Sequence, residues 1–119
     1  MIYKTEKPVY LQIADYVCER ILQGVWKVEE RIPSVRELGV TLSVNLNTVT
    51  RSLSFLESKN IIFQSRGVGY FVERDGVQRI RELLREQFLN EDLPDLFRKM
   101  QMLDISIKVV EARYVECCC

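Results

Sequence analysis

Apolar residues return every fourth position near the start of the chain: Val9, Ile13, Val17 and Ile21, flanked by Leu11, Tyr16 and Leu22. That period predicts an amphipathic helix with Pro8 at its first position and Gly24 at its end. A second, shorter helix is announced by Ile32-Pro33-Ser34-Val35-Arg36-Glu37-Leu38. Ser34 and Glu37 have capping-box spacing: the hydroxyl accepts the Glu37 backbone N–H and the carboxylate accepts the Ser34 N–H. Leu38 and Leu42, four apart, supply its apolar stripe. Asn45 is a good N-cap for a third helix running to about Lys59, and Asn60 suits a left-handed C-cap.

The third helix has two distinct sides. At 100° per residue, Val49, Ser52, Leu53 and Leu56 fall on one, and Asn47, Arg51, Ser54 and Ser58 on the other. After Asn60 the period changes. Ile61–Ser65 and Val68–Val72 are β-rich runs that meet at Arg66-Gly67, which predicts a hairpin. Gly67 supplies a positive φ there, and Gly69 lets the backbone pass close to another surface. Gly67-Val68-Gly69 is no nucleotide loop, because it lacks a third Gly and joins strand to strand.

A capped helix, a tight turn into a second helix and a short hairpin describe a helix-turn-helix with a wing, which places one helix in the DNA major groove. The outer face of the third helix carries groups of the right kind. Asn bonds adenine bidentately, Arg bonds guanine bidentately, and Ser or Thr bonds base edges or phosphates. Arg36 lies near a positively polarised helix start, where a phosphate is a natural partner. A polar outer face is also what any solvated helix shows, so its neighbours in the chain give it meaning.

Val9–Val72 resembles the DNA-binding domain of the GntR family of bacterial winged-helix transcription regulators. The family's Leu-Pro-Ser-x-Arg-x-Leu element stands as Ile32 to Leu38. The Asn-Pro-Asn-Thr-Val opening of the YtrA subfamily stands as Asn45-Leu46-Asn47-Thr48-Val49, and the wing's Gly-x-Gly-x-Phe-Val as Gly67 to Val72. The resemblance implies that Arg36, Asn47, Thr48 and the wing glycines Gly67 and Gly69 approach DNA. Ser34 at the first helix start, Asn45, Thr50 and Arg51 on the recognition helix, and Arg66 in the wing complete the expected DNA-facing set. It also implies that Val25–Val28 pairs with the wing as an extended segment. Trp26 there is expected as a core anchor rather than a platform for bases. Leu46, where members have Arg or Pro, Glu29, where they have Gly, and Gly39, where they have Ala, depart from the pattern.

Beyond Val72 the pattern is again helical. Val77, Ile80, Leu83, Leu84 and Phe88 follow one helical stripe, Pro94 restarts a helix with Leu96, Phe97, Met100 and Leu103, and a last helix opens at Asp104 or Ser106 with Ile107, Val110 and Tyr114. Two or three short helices cannot bury that much apolar surface alone, and a second copy is the natural cover. Ile80, Leu83, Leu84, Phe88, Leu96, Phe97, Met100, Leu103, Ile107 and Val110 are the expected dimer contacts. In the YtrA-like subgroup such a short tail serves dimerisation and holds no large effector domain. The expected layout is therefore a winged helix-turn-helix domain over 1–74, a helical dimerisation region over 75–115 and a tail over 116–119. In class it is mostly α with a small β-hairpin.

Charge adds a modest bias. The 119 residues balance 17 Lys and Arg against 17 Asp and Glu, but residues 1–74 hold 10 against 8 and residues 75–119 hold 7 against 9. A DNA binder of this charge relies on a few placed cations. No uncharged apolar run approaches a membrane span and no secretory signal opens the chain, so a cytoplasmic location without a membrane partner is expected. There is no His. Cys117-Cys118-Cys119 lacks metal-ligand spacing, and Cys18 beside the first apolar stripe reads as a small buried hydrophobe, so no metal or cofactor is expected. Acidic residues alternate with basic ones, no nucleophile motif occurs, and an enzyme is not indicated. The expected function is a sequence-specific DNA-binding regulator, a repressor, acting as a homodimer on a two-fold operator. A small-molecule effector is left open. The competing class is a winged-helix protein-interaction module without DNA.

Overall fold

The computed structural model describes residues 7–118. They form six α-helices and one antiparallel hairpin: α1 (Val9–Leu22), α2 (Val35–Leu42), α3 (Leu46–Ser58), β1 (Ile62–Ser65), β2 (Gly69–Val72), α4 (Gly76–Gln87), α5 (Leu93–Met102) and α6 (Ile107–Cys118). The chain divides into two compact units whose boundary falls between Leu83 and Leu84, inside α4.

The first unit is a winged helix. Ile13, Ala14, Val17, Cys18 and Ile21 of α1 are buried, as are Leu38 of α2 and Val49, Leu53 and Leu56 of α3. Pro8 is the N-cap of α1 rather than its first residue. The capping box of α2 forms as expected: the Glu37 N–H donates to Ser34 Oγ (3.1 Å) and the Ser34 N–H to Glu37 Oε1 (3.0 Å). Ser43 closes α2 in the left-handed region, and Asn60 does the same after α3 (φ 61°). The turn between α2 and α3 is tight because Gly39 has no side chain. A Cβ there would lie 2.6 Å from Cδ2 of Leu46, which occupies that space.

The hairpin pairs Ile62 with Val72 and Ser65 with Gly69, so three residues, Arg66 to Val68, turn the corner. The Val68 N–H donates to the Ser65 carbonyl (3.0 Å), and Gly67 takes a φ of 77°. The segment that pairs with the wing is 29–32, not Val25–Val28. The Glu29 N–H donates to the Val72 carbonyl, the Val72 N–H to the Glu30 carbonyl, and the Ile32 N–H to the Tyr70 carbonyl. The reason is local: residues 25 and 26 form a bend, 28 and 29 a turn, and Glu29 has a φ of 66°, where the family's Gly would sit without strain. Arg74 reaches Glu29 Oε1 at 3.3 Å. Trp26, expected as a core anchor, is half-buried at the edge of the core, where it packs edge-on against Tyr16. Burial pushes the Cys18 thiol up to about 12, with Asp15 and Glu19 adding to it.

The C-terminal helices differ from expectation in three ways. Pro94 stands at the start of α5, as expected, but no break precedes it. Residues 88–92 form a π turn in which the Leu93 N–H donates to the Phe88 carbonyl, five residues back, and the backbone stays helical on either side. A wider turn tolerates a proline that has no N–H to give. Ile80 and Met100, expected at a dimer face, are buried within the chain itself. The last helix runs through Cys118, where a tail from residue 116 was expected. Cys119 lies outside the described residues. Within α5, the buried Asp95 pairs with Arg98 (2.5 Å) and Lys99 (3.8 Å). No helix among the described residues is long and apolar enough to cross a membrane.

Candidate nucleic-acid interface

Helix α3 carries the candidate interface. Its inner side, Val49, Ser52, Leu53 and Leu56, is wholly buried, which turns Asn47, Thr50, Arg51, Ser54 and Ser58 to solvent; Thr48 is half-buried at the edge. The orientation follows from the apolar period alone. Asn45 serves the backbone: its side-chain oxygen accepts the Asn47 N–H at 2.8 Å, so half of its bidentate capacity is spent on the cap.

The phosphate seat expected at the start of α2 is partly occupied. Glu37 brings its own carboxylate there, and two of the local N–H groups are already bonded inside the capping box. These bonds to Ser34, with the nearby Arg31 charge adding to them, hold the Glu37 carboxyl below its ordinary value. Arg36 remains exposed, and neither it nor Arg66 pairs with a carboxylate among the described residues. Both guanidiniums are therefore available to a phosphate.

Arg31 went unnoticed in the sequence. Its Nε lies 2.8 Å from where a Gly69 Cβ would stand, and Gly69 has a φ of 142°. The second wing glycine thus makes room for a guanidinium lying across the hairpin. The legible signal was a basic residue directly before Ile32-Pro33-Ser34, together with a wing glycine in need of a neighbour. Arg51 is also placed more definitely than a helical wheel could show, with its guanidinium carbon 3.9 Å from the centre of the Tyr10 ring. Helix α1 therefore supports α3 from the side. Among the described residues no cluster of His, Cys, Asp or Glu could hold a metal ion.

The family model for bacterial regulatory proteins of the gntR family matches residues 9–72, from the first residue of α1 to the last of β2. The chain belongs to the GntR family. It is 31% identical to the uncharacterised helix-turn-helix transcriptional regulator YhcF of Bacillus subtilis, over 87% of this chain and 84% of that one. It is 32% identical to the transcriptional repressor YtrA of the same organism, over 71% and 68%. A crystal structure described as a GntR-family transcriptional regulator of Bacteroides thetaiotaomicron superposes with a TM-score of 0.76 at 46% identity. That match covers 92% of this chain and 95% of the other. This GntR protein is a DNA-binding transcriptional regulator and not an enzyme.

Proposed function

We propose that this regulator is a repressor that binds a two-fold operator as a homodimer. The observation that carries the reading is α3, with its apolar side buried and Asn47, Thr50 and Arg51 exposed. Each monomer inserts that face into a major groove, where base-edge contacts set the sequence. Arg36, the Ser34 helix start, and the wing from Arg66 to Gly69 with Arg31 across it hold the sugar-phosphate backbone and set the register.

The dimer rests on the second unit. Phe88, Leu96, Phe97, Leu103 and Ile107 are exposed, and Leu83, Leu84 and Val110 are half-buried. So much apolar surface calls for a partner. A two-fold pair would present its recognition helices to half-sites about one helical turn apart. Repression finds support in the likeness to YtrA, which is named a repressor. The interaction-module alternative has no counterpart in the relatives above, which are regulators.

The test is selection of duplexes from a randomised library, followed by anisotropy titration of the winner across salt concentrations. A palindromic winner, bound by two chains and resistant to random competitor, is expected. Arg51→Ala should weaken it by about 1–3 kcal/mol and relax one base position. A library that yields no enriched sequence would overturn the reading.

A further inference from the structure

We infer that Tyr10, on the first helix, is a specificity-determining residue that acts by holding the Arg51 guanidinium in a fixed plane. This rests on the reading of α3 as the base-reading helix.

Two side chains of α3 converge on the ring. Arg51 lies over its face at 3.9 Å, Phe55 of α3 meets it edge-on with centroids 6.2 Å apart, and the ring belongs to the first turns of α1. That end of α1 is itself tied down. Lys7 Nζ bonds Asp15 Oδ2 at 2.7 Å, and the Gln12 side chain donates to the Lys7 carbonyl at 2.8 Å. The half-buried ring thus stands on a fixed helix end with Phe55 against it. Pro8, Val9, Tyr10, Asn47, Thr48 and Arg51 line one open cleft of about 350 Å³. The stacked guanidinium therefore shares a wall with two further groups of the reading face.

Stacking occupies the face of a guanidinium and leaves its edge free. All five N–H donors lie in the plane, so a ring beneath them fixes their direction without using any of them. Among the described residues no carboxylate competes for Arg51. An unsupported Arg loses rotamer freedom when it docks on a base; one already stacked has less to lose, and it meets only acceptors that lie in its plane. The adjacent acceptor pair of guanine, O6 and N7, is the base edge that fits. Tyr10 thereby sharpens discrimination without touching a base.

The experiment uses a duplex enriched by the wild-type chain and a set of duplexes changed at single base pairs. Discrimination between them is measured for the wild type, Tyr10→Leu, Tyr10→Phe, Arg51→Ala and the Tyr10→Leu/Arg51→Ala double variant. Tyr10→Leu should lose about fivefold in discrimination at the position Arg51 reads, a size typical of a cation stacked on a ring. Tyr10→Phe, which keeps the ring, should match the wild type. In the Arg51→Ala background Tyr10→Leu should change nothing. Equal loss with and without Arg51 would overturn the inference, as would a Tyr10→Phe variant as indiscriminate as Tyr10→Leu. If Tyr10→Leu fails to fold, Tyr10→Met decides. It fills similar space without a ring, so discrimination at that position should again fall about fivefold, and wild-type discrimination in Tyr10→Met would sink the proposal. A wild type that enriches no duplex refutes the DNA-reading role of α3 instead, and so is told apart from a failure of the Tyr10 argument.

Discussion

Helices α3 and α6 are nearly the same length and sit in different physical situations. In α3 every third or fourth residue disappears into the core, and what remains outside is mostly polar, with Leu46 exposed at its start. In α6 no residue is buried; Ile107 is 59% and Tyr114 64% exposed. A twelve-residue helix with no packed face is marginal in water, because its own hydrogen bonds barely repay nucleation. The first helix has found its partner within the chain, and its free face is available for recognition. The second has an apolar surface without a cover, and this asymmetry is the physical basis for assigning DNA to one and a second copy to the other.

The sharpest way to break the comparison is in the core. Leu53→Ala removes a wholly buried side chain from the inner side of α3 and should cost about 2–5 kcal/mol in urea unfolding. A Tyr114→Glu change in α6 should leave the winged unit folded while weakening self-association at least tenfold, about 1.4 kcal/mol, read by sedimentation across concentrations. If both variants lost stability alike and neither changed association, the distinction between the helices would be empty.

Smaller changes sharpen it. Ser52 is fully buried on the inner side of α3, and its hydroxyl finds no hydrogen-bond partner. Ser52→Ala should therefore stabilise the protein, by roughly 0.5–1.5 kcal/mol, through relief of that unpaired group and better helix propensity. A loss of stability would mean the hydroxyl has a partner after all. The smallest effect is a pH dependence. The Glu37 carboxyl is held below its ordinary value of 4.5, so the capping box contributes fully at neutral pH. Its contribution is lost only as pH falls below that value and through the lowered one. Stability curves of the wild type and Glu37→Gln should converge at the acid end and separate above it.

Much of this was legible in the chain. The capping box, the two sides of α3 and the hairpin followed from period and turn chemistry, since each is a local preference that the tertiary structure leaves intact. What escaped were contacts between elements distant in sequence. The pairing of 29–32 with the wing depends on a left-handed Glu29, a conformation that nothing in a glutamate advertises. Arg31 over Gly69 and Arg51 over Tyr10 each join residues about forty positions apart, beyond any helical wheel. Ile80 and Met100 carried the same apolar signal as their exposed neighbours, and period alone does not say which part of a stripe is already covered. The π turn was hidden because Pro94 suggests a stop, whereas the backbone widened by one residue and carried on.

The overlap between Gly39 and Leu46 makes the two positions a matched pair: the space a methyl group would take at 39 is the space that Leu46 fills. The crowded atom is the far end of an exposed side chain, so a methyl added at 39 would turn Leu46 toward solvent rather than open the turn. Each position sets what the other accommodates.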